Sequence, residues 1–359
     1  MRIESVGLEK LTIPLIKPFK TALRVLEVSE TWVLQMRLEN GMVGWGAASP
    51  TAVITGDTLG SIQGALTEVL VPQITGMDIT NYEAVLAKIN SGIVRNSSAR
   101  AALDMAVYDL VGRLYGVPLY KMLGGHKASF ETDITVSINS PAEMAGDAVG
   151  FVRDGFTALK LKVGIGPATD VVRVRGIREA VGPHIKIRLD ANQGWTAKEA
   201  IKTIILMEDM GLDIELVEQP VKAHDLDGLK QVTDNVATPI MADESVFSPE
   251  DALRVLQMRA ADLINIKLMK AGGIHNALRI NALAESAGVE CMIGCMIENK
   301  IGITAAAHLA AAKKNITRMD LDAPFLLAHE PISGGISQVG PRLVLPDTPG
   351  LGITGVNLR

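Results

Sequence analysis

Three carboxylates lie at or near the ends of successive short apolar runs in the middle of the chain: Asp190, Glu218 and Asp243. If those runs are neighbouring strands of one sheet, the carboxylates would raise one another's pKa unless a cation lay among them. Ligation by oxygen alone favours Mg²⁺ or Mn²⁺ over zinc or copper. The alternative is that these acids cap helices or pair with surface lysines, but three in succession favour a metal site.

Lysines lie at or near the ends of two further runs of the same kind. Lys160 and Lys162 alternate with apolar residues, so both are expected on one side of a strand, while Lys267 ends a later run. In a ring of eight strands these runs would be the second and the sixth, which face each other. That geometry suits removal of a proton from one face of a carbon and its return on the other. A lysine base needs a lowered pKa, which we expect from nearby positive charge and desolvation.

The elements that must position these side chains follow from a repeat. Eight β-rich runs each end near one residue of this set, at steps of 27, 28, 28, 25, 24, 28 and 25: Thr135, Lys162, Asp190, Glu218, Asp243, Lys267, Cys295 and Asp320. Eight units of strand plus helix predict an α/β fold, a (β/α)₈ or TIM barrel, whose chemistry lies at the C-terminal ends of the strands. An open doubly wound sheet is the alternative. Such a sheet would be expected to have a glycine fingerprint after its first strand, and nothing in this sequence resembles one.

The remaining chain divides around this barrel. Strand patterns over 1–50 precede three helical stretches, so residues 1–125 are expected to form an α+β capping domain, with 126–324 as the barrel. The helical stretches are expected at 58–70, 80–91 and 97–115. Residues 325–359 are rich in Gly and Pro but retain apolar side chains, so we expect them to pack back onto the capping domain.

Composition excludes several classes of protein. The chain has 359 residues, 48% of them hydrophobic, and a net charge of −5, which argues against nucleic-acid or membrane-surface partners. No apolar run is long enough for a membrane span or a signal peptide, and two cysteines do not make a secreted disulfide framework. A cytoplasmic homo-oligomer is expected.

Taken in order, five segments resemble the enolase superfamily, and within it the muconate-lactonizing subgroup: Leu159–Gly164, Leu189–Trp195, Val217–Pro220, Met241–Ser245 and Asn265–Lys267. The mandelate-racemase branch has a catalytic histidine after strand 7, where this chain reads Cys295–Asn299, so Lys267 takes the position of the second base. The resemblance implies a TIM barrel under a capping domain that the C-terminal segment completes.

Within the subgroup, three segments are similar to dipeptide epimerases of the L-Ala-D/L-Glu type: Lys17–Arg24, Val53–Asp57 and Asp320–Pro324. This similarity implies a small dipeptide substrate whose α-ammonium group meets Asp320 and Asp322. It also implies that Arg24 meets the side-chain carboxylate of the second residue, which favours Glu there.

The implied reaction is a 1,1-proton transfer at the α-carbon of the C-terminal residue. The three carboxylates would hold Mg²⁺ or Mn²⁺. Lys160 would stabilise the enolate, and Lys162 and Lys267 would exchange the roles of acid and base.

Four further residues are expected around this centre. Asn192 and Glu244 are candidates for orienting the ligands and a lysine. Thr135, at the end of the first run, and Glu298, after the seventh, are candidates for substrate contacts.

Rival functions stay open at this point. An epimerase of hydrophobic or other dipeptides would share the barrel motifs. o-Succinylbenzoate synthase and muconate cycloisomerase act on substrates without an ammonium group, which Asp320 and Asp322 disfavour. A non-catalytic metabolite-binding barrel is the alternative from another class, and it would be expected to have lost a ligand or a base.

Overall fold

The computed structural model describes residues 1–357. Its N-terminal part has these elements: β1 (Ile3–Lys20), β2 (Val25–Leu38), β3 (Val43–Ala48), α1 (Leu59–Gly64), a π-helix (Ala65–Leu70), α2 (Val71–Ile74), a 3₁₀-helix (Ile79–Asn81), α3 (Tyr82–Ser91), α4 (Ser97–Leu114) and α5 (Leu119–Met122). The three strands form one antiparallel sheet in the order β1-β2-β3.

Helix α4 is the centre of this N-terminal part, and most of its side chains are buried. It approaches β3 so closely that a Cβ on Gly46 would lie 1.9 Å from the carbonyl oxygen of Ala102. A glycine is therefore required at that position. Asp109 of α4 accepts a hydrogen bond from the backbone N–H of Trp45, which fixes the helix on the sheet.

The barrel and its helices span these elements: β5 (Ile134–Val136), α6 (Pro141–Arg153), β6 (Ala158–Lys162), α7 (Pro167–Val181), β7 (Lys186–Asp190), α8 (Ala197–Asp209), β8 (Ile214–Glu218), α9 (Leu226–Asn235), β9 (Ile240–Ala242), α10 (Pro249–Met258), β10 (Leu263–Lys267), α11 (Leu268–Ala271), α12 (Ile274–Ser286), β11 (Glu290–Gly294), α13 (Lys300–Ala312) and β12 (Ile316–Asp320). The strands are parallel and follow chain order. A hydrogen bond from Asp133 N to Met319 O joins the first strand to the last. These observations confirm the predicted barrel.

Local signals in the sequence start the helices that follow the strands. Ser140 and Thr196 each form a capping box with a glutamate three residues later, at the beginnings of α6 and α8. Each cap ends the strand-to-helix loop at a defined residue, and those loops surround the C-terminal ends of the strands.

The C-terminal segment returns to the N-terminal part. Its elements, with the short strand that precedes the barrel, are β4 (Ser129–Glu131), α14 (Ala323–Leu326), β13 (Ile332–Gly334), β14 (Ser337–Val339), β15 (Arg342–Val344) and β16 (Ile353–Val356). Asp109 accepts from Leu351 N at 2.7 Å, and Arg113 donates to Ile353 O. The predicted boundaries after residues 125 and 324 stay predictions.

The β1–β2 hairpin covers the mouth of the barrel. Ile138 N donates to Lys20 O at 3.1 Å, next to strand β5. On the other side, Ser29 Oγ donates to Ile297 O at 3.0 Å and Asn299 Nδ2 donates to Thr31 Oγ1 at 2.8 Å. The hairpin tip is therefore held over the ends of the barrel strands.

The structure differs from the expected elements in two places. The helix expected over 58–70 continues to Ile74 and is π-helical in its middle, for which we have no physical account. The short strands β4 and β13–β16 were not expected, because three- and four-residue strands with distant partners leave little local pattern. None of the described helices combines the length and apolar character that crossing a membrane requires.

Candidate active site

Strand register brings the predicted catalytic residues to the same end of the barrel. Lys162 pairs with Asp190 across β6 and β7, and Asp190 pairs with Glu218 across β7 and β8. Asp243 directly follows β9, and Lys267 ends β10. In a parallel barrel these are the C-terminal ends of the strands, where active sites are built.

Lys160 lies at the centre of the carboxylates. Its side chain is 1% exposed, and its Nζ lies 3.1 Å from Asp190, 2.6 Å from Glu218 and 2.7 Å from Asp320. Burial alone would lower the pKa of Lys160, but the carboxylates around it raise that pKa well above its usual value. Lys160 is thus a fixed positive charge.

Lys162 and Lys267 face the same space from opposite sides, because β6 and β10 are four strands apart in the barrel. Lys162 Nζ donates to Asp190 at 2.6 Å and lies 5.9 Å from the centre of the Phe19 ring, which belongs to the covering hairpin. Lys267 Nζ donates to Asp243 at 2.7 Å. Both ammonium groups are therefore held by a carboxylate.

For Lys267, the expectation of a lowered lysine pKa is not met. Burial lowers the pKa of Lys267, but Asp243 and Glu218 outweigh burial and nearby Lys160, so the pKa is raised. The expectation considered positive neighbours and desolvation but left out the direct carboxylate partner.

The three acids are all buried, but their pKa values shift in different directions. The lysines hold the pKa of Asp190 and Asp243 below the usual range although burial opposes this. Burial, with the nearby charge of Asp190, raises the pKa of Glu218 to about 7. The carboxylates thus carry more negative charge than lysines alone relieve.

The donor set fits a hard divalent cation by its chemistry. Glu218 Oε2 and Asp243 Oδ1 are buried and, within the described residues, have no partner other than lysine ammonium groups. Their closest cations are Lys160 and Lys270, each at 2.6 Å. In residues 1–357 no three His, Cys, Asp or Glu groups are arranged as a metal centre. In this structure, lysine ammonium groups provide the positive charge around the acids. The carboxylates of Asp190, Glu218 and Asp243 lie at the ends of adjacent strands and are ligands of the kind that Mg²⁺ prefers.

Above the lysines lies a narrow pocket between barrel and hairpin. It encloses about 40 Å³ and is lined by Lys160, Lys162, Lys267, Arg24, Thr135, Asn192, Asp320 and Asp322, with hairpin and loop residues Phe19, Thr21, Leu23, Val53 and Ile54 and with Cys295, Met296 and Ile297. Strands β5, β6, β10 and β12 and the loops after β7 and β11 contribute to it, together with the β1–β2 hairpin and the loop that contains Val53 and Ile54.

The end of β12 supplies two carboxylates to this pocket. Asp320 contacts Lys160, and Asp322 accepts from Thr135 N at 2.8 Å. Burial and the charge of Asp320 raise the pKa of Asp322 to about 6. Because Lys160 neutralises only part of this pair, the site can accept another positive charge.

Arg24 is the cation of the hairpin. It is half-buried and lines the pocket, and in the part of the chain that is described its guanidinium group has no hydrogen bond or ion pair. Burial lowers its pKa to about 10. A buried guanidinium without a partner favours an anionic ligand.

Two residues expected near the centre lie outside the pocket lining. Glu244 accepts from Asn192 Nδ2 at 3.2 Å and faces a neighbouring cavity. Glu298 is buried and accepts from Met296 N at 2.9 Å, and burial raises its pKa to about 7. Glu298 thus holds the loop after β11, and the structure does not place it on the pocket surface.

Sequence reasoning missed three residues that hold the acids. Lys270 Nζ lies 2.6 Å from Asp243 Oδ1 and donates to the carbonyl oxygens of Asp243, Val246 and Asn265. Asn265 Nδ2 donates to Glu218 Oε1 at 2.7 Å. Gln219 Oε1 accepts from Asp243 N at 2.9 Å. Asn265 lies two positions before Lys267 on the same strand, so the alternation of side chains along β10 could have revealed it. Lys270 lies on a helical turn, where no strand pattern points to it.

Comparisons with known proteins agree with this geometry. Residues 6–124 match the model described as "Mandelate racemase / muconate lactonizing enzyme, N-terminal domain", and residues 143–356 match "Enolase C-terminal domain-like". An L-Ala-D/L-Glu epimerase from Clostridium acetobutylicum is 54% identical, over 99% of this chain and 100% of that protein.

Solved structures give the same result. A substrate-liganded complex of the L-Ala-D/L-Glu epimerase from Bacillus subtilis has a TM-score of 0.99 and 54% identity, covering 100% of both chains. A dipeptide epimerase from Enterococcus faecalis, complexed with Mg and L-Leu-L-Tyr, has a TM-score of 0.95 and 48% identity, covering 99% of this chain and 100% of that one.

The two family models together span nearly the whole described chain, and the similarity extends through the capping hairpin as well as the barrel. The resemblance to the enolase superfamily and its muconate-lactonizing subgroup is therefore confirmed. This chain belongs to the mandelate racemase/muconate lactonizing enzyme family of the enolase superfamily.

Proposed function

We propose that this chain is a Mg²⁺-dependent dipeptide epimerase, an isomerase that moves a proton at the α-carbon of the C-terminal residue of a dipeptide. One observation carries the proposal: Lys162 and Lys267 end opposite strands of the barrel and line one pocket. A carbon between them presents one face to each lysine. Relatives at 54% and 48% identity are named for dipeptide epimerisation.

The two lysines act as acid and base in turn. One neutral amine removes the α-proton from its face, and the opposite ammonium returns a proton to the other face, which inverts the centre. Each lysine has its own carboxylate, Asp190 for Lys162 and Asp243 for Lys267. A cation on those carboxylates would weaken their hold on the lysine protons and so ease formation of the free amine.

Removing the α-proton adds a second negative charge to the substrate's carboxylate group. Lys160, held among three acids, is placed to donate a hydrogen bond to that charge in a site without bulk water. Asp190, Glu218 and Asp243 would hold Mg²⁺, which supplies a Lewis acid for the same charge. The solved Enterococcus relative contains Mg together with its dipeptide.

The ends of the substrate meet opposite charges. Asp320 and Asp322 would receive the α-ammonium group, which muconate and succinylbenzoate substrates lack. Arg24, the unpartnered guanidinium of the hairpin, would pair with a side-chain carboxylate and so select Glu at the second position. L-Ala-L-Glu and L-Ala-D-Glu are the proposed substrates.

Proton exchange in D₂O tests the reaction. Protein with Mg²⁺ is incubated with a dipeptide library that includes L-Ala-L-Glu and L-Leu-L-Tyr, and each α-proton is followed by NMR. We expect deuterium at the C-terminal residue only, with the opposite stereoisomer forming. An Arg24→Gln variant should lose its preference for Glu but still epimerise. If the wild-type protein preferred L-Leu-L-Tyr, the proposed role of Arg24 would be contradicted. If the wild-type protein exchanged no α-proton in the library, epimerisation would be contradicted.

A further inference from the structure

A second half-buried arginine, Arg100, resembles Arg24 because its guanidinium group has no partner among the described residues. In residues 1–357, five arginines of comparable burial are hydrogen-bonded through their guanidinium groups: Arg113, Arg173, Arg178, Arg188 and Arg318. Arg100 has neither a hydrogen bond nor an ion pair through its guanidinium, and its Nε is fully buried. Leaving such a donor unpaired costs free energy that a bound anion would recover.

The carboxylates nearest to Arg100 are already engaged. Asp57 accepts a hydrogen bond from Ser98 N, and Asp104 accepts from Ile274 N and His275 N at the start of α12. Both raise the pKa of Arg100, but neither lies within ion-pair distance, and burial keeps that pKa lowered. The chain therefore supplies charge near Arg100 without supplying a partner for it.

Arg100 lines a cavity between the capping region and the barrel, which we call the cap–barrel pocket. The cavity measures about 620 Å³, within the ~300–1,000 Å³ typical of small-molecule sites. Arg95 and Arg254 line it from the start of α4 and from α10, and neither has a partner among the described residues. Three guanidinium groups from two domains thus face one space.

Each acid of this pocket accepts at least one hydrogen bond from the chain itself. Asp251 accepts from Phe247 N, and Glu244 accepts from Asn192 Nδ2 through Oε1, while the buried Oε2 of Glu244 has no partner among the described residues. The groups that still lack a partner are thus mostly the guanidinium donors. Arginine pairs equally well with carboxylate and phosphate, through two parallel hydrogen bonds.

The pocket is separate from the catalytic pocket but shares a wall with it. Ile54 lines both cavities, and the Asn192–Glu244 hydrogen bond joins their linings. Lys270, which contacts Asp243, also faces the cap–barrel pocket. A ligand here would touch the outer side of the residues that hold the catalytic acids.

We propose that the cap–barrel pocket is a second binding site, for a small organic anion that carries at least two negative charges on carboxylate or phosphate groups. Two or more charges are required because the three arginines come from separate elements. This site goes beyond the proposed epimerase activity and does not depend on it.

Isothermal titration calorimetry on the Mg²⁺-loaded protein tests the site, with inorganic phosphate and glutarate as probes at constant ionic strength. We expect saturable binding of at least one probe. Phosphate binding alone would identify a phosphate-bearing ligand, and glutarate binding alone a polycarboxylate. Arg100→Gln should weaken binding at least ~10-fold, the effect of removing a charged hydrogen-bond donor.

Arg24→Gln is the matched control, because Arg24 is equally half-buried and unpartnered but lies in the catalytic pocket. Its affinity for the probes should stay within about 2-fold of the wild-type affinity. That change is much smaller than the effect of losing a charged hydrogen bond. Loss of binding in Arg24→Gln with normal binding in Arg100→Gln would overturn the proposal, as would absence of saturable binding in the wild type.

A surface variant keeps the test decisive if Arg100→Gln does not fold. The double substitution R95Q/R254Q changes two exposed side chains and should lower affinity several-fold while epimerisation is unchanged. Wild-type affinity in that variant would contradict the site. Epimerisation is assayed separately, so failure of this site and failure of the proposed function are distinguishable.

Discussion

The barrel contains two clusters of paired charges that differ in the identity of their cations. The arginine cluster consists of Arg188 and Arg318 with Asp133, Glu215 and Glu290. Arg188 Nε donates to Glu215 at 2.7 Å and its Nη1 to Asp133 at 2.8 Å. A guanidinium divided between two carboxylates is rigid and cannot lose its proton. This cluster therefore fastens strands together and does no acid–base chemistry.

The lysine cluster lies two residues further along the same strands. Asp190 follows Arg188 by two positions on β7, and Asp320 follows Arg318 by two on β12. Its cations are Lys160, Lys162 and Lys267, all of which line the catalytic pocket. An ammonium group can give up its proton, and its single charge can be shared among several acids. The comparison predicts that charge pairing stabilises the fold in one place and enables proton transfer in the other, because the cation differs.

The largest effect is expected from removing one base. Lys267→Ala should lower epimerisation by roughly 10²–10⁴-fold, because one face of the α-carbon loses its proton donor. Lys162 remains on the other face, so the variant should still exchange the α-proton of one stereoisomer with D₂O. NMR of each pure stereoisomer measures both. Epimerisation at the wild-type rate would refute the two-base scheme.

The arginine cluster should respond in stability instead. Arg188→Met leaves buried Asp133 without its ion-pair partner, while Glu215 keeps Arg318 at 3.4 Å, and we expect a loss of about 3–5 kcal/mol in the free energy of unfolding. Chemical denaturation measures it. Arg175→Met, which removes an exposed i,i+4 pair with Glu179, is the control and should cost less than about 0.5 kcal/mol. Equal losses in the two variants would show that burial of the cluster contributes little.

His308 separates pH effects of the fold from those of the catalytic cluster, because it lies away from both clusters. It accepts from Tyr120 N through Nδ1, and burial lowers its pKa to about 4. Since the unfolded imidazole has the higher pKa, its stabilisation is fully present above pH ~6.5 and is lost as pH falls toward 4, by about 3 kcal/mol. Thermal unfolding between these pH values measures this.

An asparagine at the same position provides the control. Its side-chain oxygen can accept from Tyr120 N but does not titrate, so His308→Asn should flatten the pH dependence over this interval. An unchanged slope would assign the acid sensitivity to the carboxylates instead.

The smallest effect is expected from Lys270, the lysine that holds Asp243 without lining the catalytic pocket. Lys270→Met should weaken Mg²⁺ binding by about 10–100-fold, because Asp243 loses the group that orients it. Calorimetric titration of Mg²⁺ measures this without turnover. Lys270→Arg should recover part of the affinity, and Lys230→Met, an exposed helix pair with Asp234, should change nothing. Unchanged affinity in Lys270→Met would make Lys270 purely structural.

Sequence by itself determined the barrel and placed the candidate catalytic residues at the ends of its strands. A strand must place its inner residues two apart, and a strand–helix unit repeats at a nearly constant length, so residues such as Lys162 and Asp190 could be located by spacing alone. The family followed from the order of those segments and is confirmed by the comparisons. The expected roles of the individual site residues stay predictions.

Only the tertiary structure decided how the charges are shared. It paired Lys267 with Asp243 and so raised the lysine pKa, and it placed a carboxylate oxygen of Glu298 on Met296 N. It also brought Arg100 and Arg254 to one cavity from distant parts of the chain. The physical reason is that periodicity fixes which side of a strand or helix a side chain occupies, whereas its partner, burial and pKa depend on contacts between elements far apart in sequence.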